Sequence, residues 1–200
     1  MFVINYLCFL LVLVQPYQPL TEDCHNETLN FQEEWNQLLI NPEKPILSKK
    51  EIKSFKGLDF FPFNPEWCIT AKYKPFDQPE PFLMMTTTGR ERTYMKAGTL
   101  HFEVAGAPHQ LTVYESLPVK GLSTENHWFV PFKDFTNGET TYGGGRYLDI
   151  KKKDLNDGYI SLNFHKSYAP YCAYSEGYSC PIVPEENYLE VAIEAGTMRW

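Results

Sequence analysis

The chain has 200 residues, a net charge of −7 and a pI near 5.3. That length suits one domain and buries a core without covalent help. The acidic balance argues against a nucleic-acid partner, because Lys151, Lys152 and Lys153 are the densest basic cluster and fall at an expected turn. Aromatic residues make up 16% of the chain, which favours a β-rich fold whose flat side chains pack on a pleated surface.

Met1 to Val14 reads MFVINYLCFLLVLV, and Gln15-Pro16 ends the run. As a helix it spans about 21 Å, short of the roughly 30 Å of a hydrocarbon core. Residues 1–20 are therefore expected to be a signal peptide, with an uncleaved N-terminal anchor as the alternative. Residues 21–200 are expected to form a single globular β-rich domain. The chain is then extracytoplasmic, secreted or periplasmic, and meets a membrane only through residues 1–14.

Export changes the reading of the cysteines. Cys8 leaves with the apolar segment, and Cys24, Cys68, Cys172 and Cys180 allow three pairings. Cys172 and Cys180 flank seven residues with Gly177 between them, so a local disulfide is expected, worth roughly 2.5 kcal/mol by chain entropy. Cys24 and Cys68 either form a second bridge or stay free. Asn26-Glu27-Thr28 is a glycosylation sequon, which makes Asn26 a host-dependent surface site.

Leu29 to Ile40 carries Phe31, Trp35, Leu38 and Leu39 on one helical stripe, and Asn41-Pro42 stops it. Ser48 and Glu51 read as a capping box for a short second helix through Phe55. From Trp67 the period changes to two. Alternating runs follow at CITAKYKPF, FLMMTTT, RTYMKAGTLHFEVAG, HQLTVYESL, HWFVPF, RYLDI, YISLNF and YLEVAIEA. Ala105 to Pro108 is a hairpin turn. Strands at short spacing without intervening helices predict a mainly β fold, an antiparallel sandwich or partly closed barrel, with one or two N-terminal helices.

The densest constellation is Tyr142-Gly143-Gly144-Gly145-Arg146. Its N–H groups suit an anion-binding nest beside the Arg146 fork. No Gly-Lys-Ser/Thr follows, so it is not a nucleotide loop. The alternative is a tight connection with Arg146 paired to Asp134 or Asp149. No metal site and no cofactor motif is evident: the five histidines are scattered, and only His101 and His109 flank one hairpin.

FVPFKDFTNGETTYGGGRYLDI followed by YAPYCAYSEGYSCPIVPEENYLEVAIEAG resembles the bacterial and archaeal family called domain of unknown function 1684. The resemblance extends from about Phe31 to Gly196. It implies no defined activity, substrate or cofactor. Asn163, His165 and Ala169 stand where the family pattern has Asp, Asn and Asn.

These residues support three expectations. The first is an exported small-ligand-binding module. Its pocket lies where the Gly-rich segment meets the Cys172–Cys180 loop and is lined by Asp134, Tyr142, Gly143, Gly144, Gly145, Arg146, Tyr174 and Glu186. The second is a hydrolase using Asp134, Glu139, Glu186 and His165. The third is a structural or interaction domain in which the motif only locks a loop.

Overall fold

The structure, a computed structural model, describes residues 20–117 and 127–200. The apolar segment read as a signal peptide or anchor lies outside the described residues. No described helix is long and apolar enough to cross a membrane.

Helix α1 runs Leu20–Leu39 and α2 runs Lys49–Ser54. The start of α1 precedes the expected Leu29. Its buried stripe begins with Cys24 and Thr28 before it reaches Trp35 and Leu39, and small or polar inward residues do not register as an apolar pattern. The Thr28 hydroxyl donates to the Cys24 carbonyl one turn back, at 2.8 Å. Asn26 is exposed on this helix. In α2 the capping box forms as expected, with Glu51 N–H donating to Ser48 Oγ at 3.3 Å and Ser48 N–H to the Glu51 carboxylate at 2.8 Å.

Six antiparallel strands form a sheet that curls into a nearly closed barrel: β1 Cys68–Met85, β2 Glu91–Val104, β3 Ala107–Ser116, β4 His127–Phe132, β5 Arg146–Lys151 and β6 Tyr159–Asn163. The spatial order is β5-β4-β3-β2-β1-β6. Antiparallel β structure with N-terminal helices is what the periodicity predicts. The runs CITAKYKPF and FLMMTTT belong to one strand. Its register slips between Pro75 and Glu80, where two prolines lack ladder donors and the chain bulges.

The barrel interior takes Leu100, Phe102, Leu111, Val113, Trp128, Val130, Phe132, Leu148, Ile150, Ile160, Leu162 and Phe164. A second cluster packs Trp35 and Leu39 of α1 on Ala169 and Tyr174. Of the lysine cluster, Lys151 ends β5, and Lys152 and Lys153 lie in a single 3-10 turn, Lys152–Asp154, at the expected turn. His101 and His109 do not face each other. The register pairs His101 with Gln110, and His109 stacks on Phe102 at 6.0 Å.

The run YLEVAIEA is not a strand. Leu189, Ile193 and Ala195 do point inward, so the alternation reads burial correctly. The backbone partners are wrong for a ladder: Leu189 N–H donates to the Lys133 carbonyl at 2.8 Å, and the carbonyls of Ile193 and Ala195 accept from the Arg146 guanidinium. A buried tail must pair its backbone groups, and here a side chain does it. Asn187 acts in the same way. Among the described residues, strands β3 and β4 are paired at Tyr114 and Phe129, and the fully buried Asn187 amide fills the gap beyond. It accepts from Thr112 N–H at 2.8 Å and donates to the carbonyls of Thr112 and Pro131 at 2.9 and 2.7 Å.

Candidate functional site

The Gly-rich segment is a tight connection into β5. Gly145 has φ +95, and a Cβ there would sit 2.6 Å from Val183 and 2.7 Å from the Phe132 carbonyl. Only glycine fits that position. Its N–H already donates to the Tyr142 carbonyl at 3.1 Å, so it is not offered to an anion. A Cβ on Gly144 would strike the Tyr142 ring at 2.3 Å, whereas Gly143 has more room, 3.6 Å from Gly138.

Arg146 has no exposed surface. Its guanidinium pairs with the equally buried Asp134 at 2.9 Å, and the pair holds the chain at Ile193 and Ala195. The other Asp134 oxygen accepts from Thr136 N–H at 2.8 Å and Thr136 Oγ1 at 2.5 Å. Of the partners expected for Arg146, Asp134 is the one it takes. Asp149 instead accepts from the Tyr168 hydroxyl at 2.6 Å.

The remaining residues of the expected pocket do not share one cavity. Tyr174 is buried, and its hydroxyl accepts from Trp35 Nε1 at 3.4 Å. Glu186 pairs with Lys96 at 2.5 Å and accepts from Tyr114 at 2.8 Å. These bonds and one to its backbone outweigh burial, which raises its pKa, and hold the Glu186 carboxyl below the usual range. The acid–base groups of the hydrolase reading stay apart in the same way: His165 is fully buried, with Nε2 against the Asn64 carbonyl at 2.8 Å, and Glu139 is exposed.

A cleft does lie at the junction of β5 with the cysteine loop, built from other residues. It encloses about 370 Å³ and is lined by Arg92, Tyr94, Phe129, Tyr147, Tyr168, Pro170, Tyr171, Tyr178, Ser179, Cys180 and Pro181. Its floor is the outer face of the sheet. Trp128 and Val130 face the barrel interior, so Phe129 between them faces out, as does Tyr147 before Leu148. Tyr94 joins them because the register slips between Lys96 and Gly98, which puts it on the opposite face from Leu100. The rings form a continuous row, with Tyr94 to Phe129 at 5.6 Å, Phe129 to Tyr147 at 4.8 Å and Tyr147 to Tyr168 at 5.8 Å.

The hydroxyls of this row are largely tied to protein. Tyr147 donates to the Pro181 carbonyl, Tyr168 to Asp149, and Tyr94 bonds to Arg92 and Ser116. Burial pushes the phenols of Tyr94 and Tyr147 up, so both are neutral at ordinary pH. The cleft therefore presents ring faces, with the exposed Arg92 at its mouth.

The roof is the loop between Cys172 and Cys180, pinned to the β1–β2 hairpin. Thr87 N–H donates to the Cys180 carbonyl at 2.9 Å, Ile182 N–H to the Met85 carbonyl at 2.7 Å, and Ser179 Oγ to Thr86 Oγ1 at 2.8 Å. The expected Cys172–Cys180 bridge is not formed, and both are thiols. The disulfide joins Cys24 and Cys68, with Cα atoms 6.3 Å apart, because the inward stripe of α1 meets the first residue of β1. The departures from the family pattern serve the same packing. Asn163 donates to the Cys24 carbonyl and to Thr28 Oγ1, each at 3.2 Å, and accepts from His165 N–H at 3.0 Å.

Sequence reasoning missed Arg92, Tyr94, Phe129, Tyr147, Tyr168, Tyr171 and Tyr178. The available signal was the loss of alternation in HWFVPF and RYL, since unbroken apolar runs mark strands covered on both faces.

Fold and cleft together define a small antiparallel β-barrel protein with an aromatic groove on the outer face of its sheet. The chain belongs to the family described as protein of unknown function DUF1684, which matches residues 53–198. It is also similar to the solution NMR structure of an uncharacterized protein of Haloarcula marismortui, at 31% identity over 89% of this chain and 95% of that one, with a TM-score of 0.70. No curated protein matches the chain.

Proposed function

We propose that this protein is a binding module for a small, flat, largely apolar molecule carrying one anionic group, held in the aromatic cleft. The observation that carries the reading is the row of rings across β2, β4 and β5, roofed by Tyr171, Tyr178 and Pro181 with Arg92 at the mouth. A cleft of about 370 Å³ falls within the range of small-molecule sites. Ring faces contribute affinity through stacking, and one guanidinium selects a carboxylate or phosphate.

Titration with a panel of aromatic carboxylic acids and their neutral amides tests it. Acids bind more tightly than amides, and Arg92→Met weakens acid binding about tenfold, the loss of one charge-assisted hydrogen bond. Equal affinity for acid and amide, or an unchanged affinity in Arg92→Met, contradicts the reading. We also infer export, supported by the Cys24–Cys68 disulfide and by the apolar run at residues 1–14. Recovery of the native chain from cytoplasm with that pair reduced contradicts this inference.

A further inference from the structure

We propose that Cys172 and Cys180 are a reversible dithiol–disulfide couple, with Cys172 the attacking sulfur and Cys180 the resolving one. Two observations carry this. The two cysteines sit side by side: Cys172 N–H donates to Cys180 Sγ at 3.3 Å. Their surroundings also divide the roles. Cys172 is only partly buried, whereas Cys180 is buried in the cleft wall. Gly177, at φ +89, turns the loop that brings them together.

The environment activates Cys172. The hydrogen bond from Cys180 brings its thiol down to about 6, against the upward effect of burial, with Tyr142, Thr87 and a backbone N–H adding to the lowering. The Tyr142 hydroxyl lies 3.9 Å from Cys172 Sγ. As donor in that pair, Cys180 is pushed up, with burial adding to the rise, and stays protonated. A thiolate beside a thiol that gives up its proton later is the arrangement thiol–disulfide exchange requires.

The co-reactant is a small organic disulfide. Cys172 thiolate attacks one sulfur, the S–S bond breaks, and the first half leaves as a thiolate. Cys180 then gives its proton to the first departing thiolate and attacks Cys172 Sγ, releasing the second half as a thiolate. The two protein thiols are oxidised to one disulfide, and the reagent is reduced by two electrons. The couple is independent of what binds the cleft, although Cys180 belongs to the cleft wall.

The test uses the full chain with Cys24–Cys68 intact and oxidised glutathione as the probe. Wild type equilibrated in glutathione buffers loses two hydrogens by intact mass and regains them in excess reduced glutathione. Cys180→Ser traps a mixed disulfide on Cys172. Alkylation of Cys172 rises less than about 1.5-fold from pH 7 to 8.5, against roughly 15-fold for an ordinary thiol of pKa about 8.5. Two results overturn the proposal: thiols that alkylate independently and never bond, and a bond that persists in reducing buffer until the protein unfolds. The wild-type measurements decide the matter even where a variant fails to fold.

Discussion

Replacing Arg146 by Met tests whether the Gly-rich motif builds the fold. Arg146 and Asp134 are both fully buried and 2.9 Å apart, and the guanidinium also serves the Ile193 and Ala195 carbonyls. Removing one partner of a buried pair leaves the other charge uncompensated, at a cost of about 3–5 kcal/mol. For a domain of this size each kcal/mol moves Tm by about 2–4 °C, so the midpoint falls by about 6–20 °C. Asp134→Asn is also destabilising, since the charge that balances Arg146 is lost. In the double variant no charge is stranded, and the cost falls below the sum of the single costs by about 2 kcal/mol. Urea unfolding of the four proteins measures this cycle. Additivity within about 0.5 kcal/mol, or an Arg146→Met cost under about 1 kcal/mol, refutes the reasoning.

Two further outcomes concern α1 and its surroundings. Cys24→Ser with Cys68→Ser opens a bridge between residues separated by 44 positions, and chain entropy puts the loss at roughly 4 kcal/mol, read as a lower urea midpoint. His165 is held neutral: burial drives its pKa down, the Asn64 contact opposes that, and His25 adds to the lowering. The unfolded chain takes up a proton below pH about 6.5 that the folded chain resists. Stability is therefore full above that pH and is lost as pH falls toward the folded value. His165→Gln should flatten urea midpoints between pH 7.5 and 5.5, and an unchanged slope contradicts the assignment.

The barrel was largely legible because alternation reports burial directly. Leu100, Phe102, Leu111 and Val113 read inward and are inward. That Arg146 pairs with a carboxylate was legible too, since a charged residue entering a strand needs a partner, but the choice of Asp134 over Asp149 was not. Alternation does not distinguish a ladder from a tail, so Tyr188 to Ala195 read as a strand although Arg146 and Lys133 hold its backbone. The cleft was hidden for a different reason. Each strand contributes one off-phase aromatic, and only the register between strands aligns Tyr94, Phe129 and Tyr147. Tyr94 also needs the irregularity after Lys96 to reach that face. Within the motif that marks the family, Gly145, Arg146 and Asn187 close the fold beside the groove.

On the proposed function, recognition belongs to the aromatic cleft, and the Gly-rich motif supports it from behind. Two-dimensional NMR titration with an aromatic carboxylic acid tests this most directly. Shifts are expected to concentrate at Arg92, Tyr94, Phe129, Tyr147, Tyr171 and Tyr178, and to be lost in Arg92→Met. Shifts centred on Gly143 to Arg146 and Asp134, or no saturable shifts across the acid panel, contradict it.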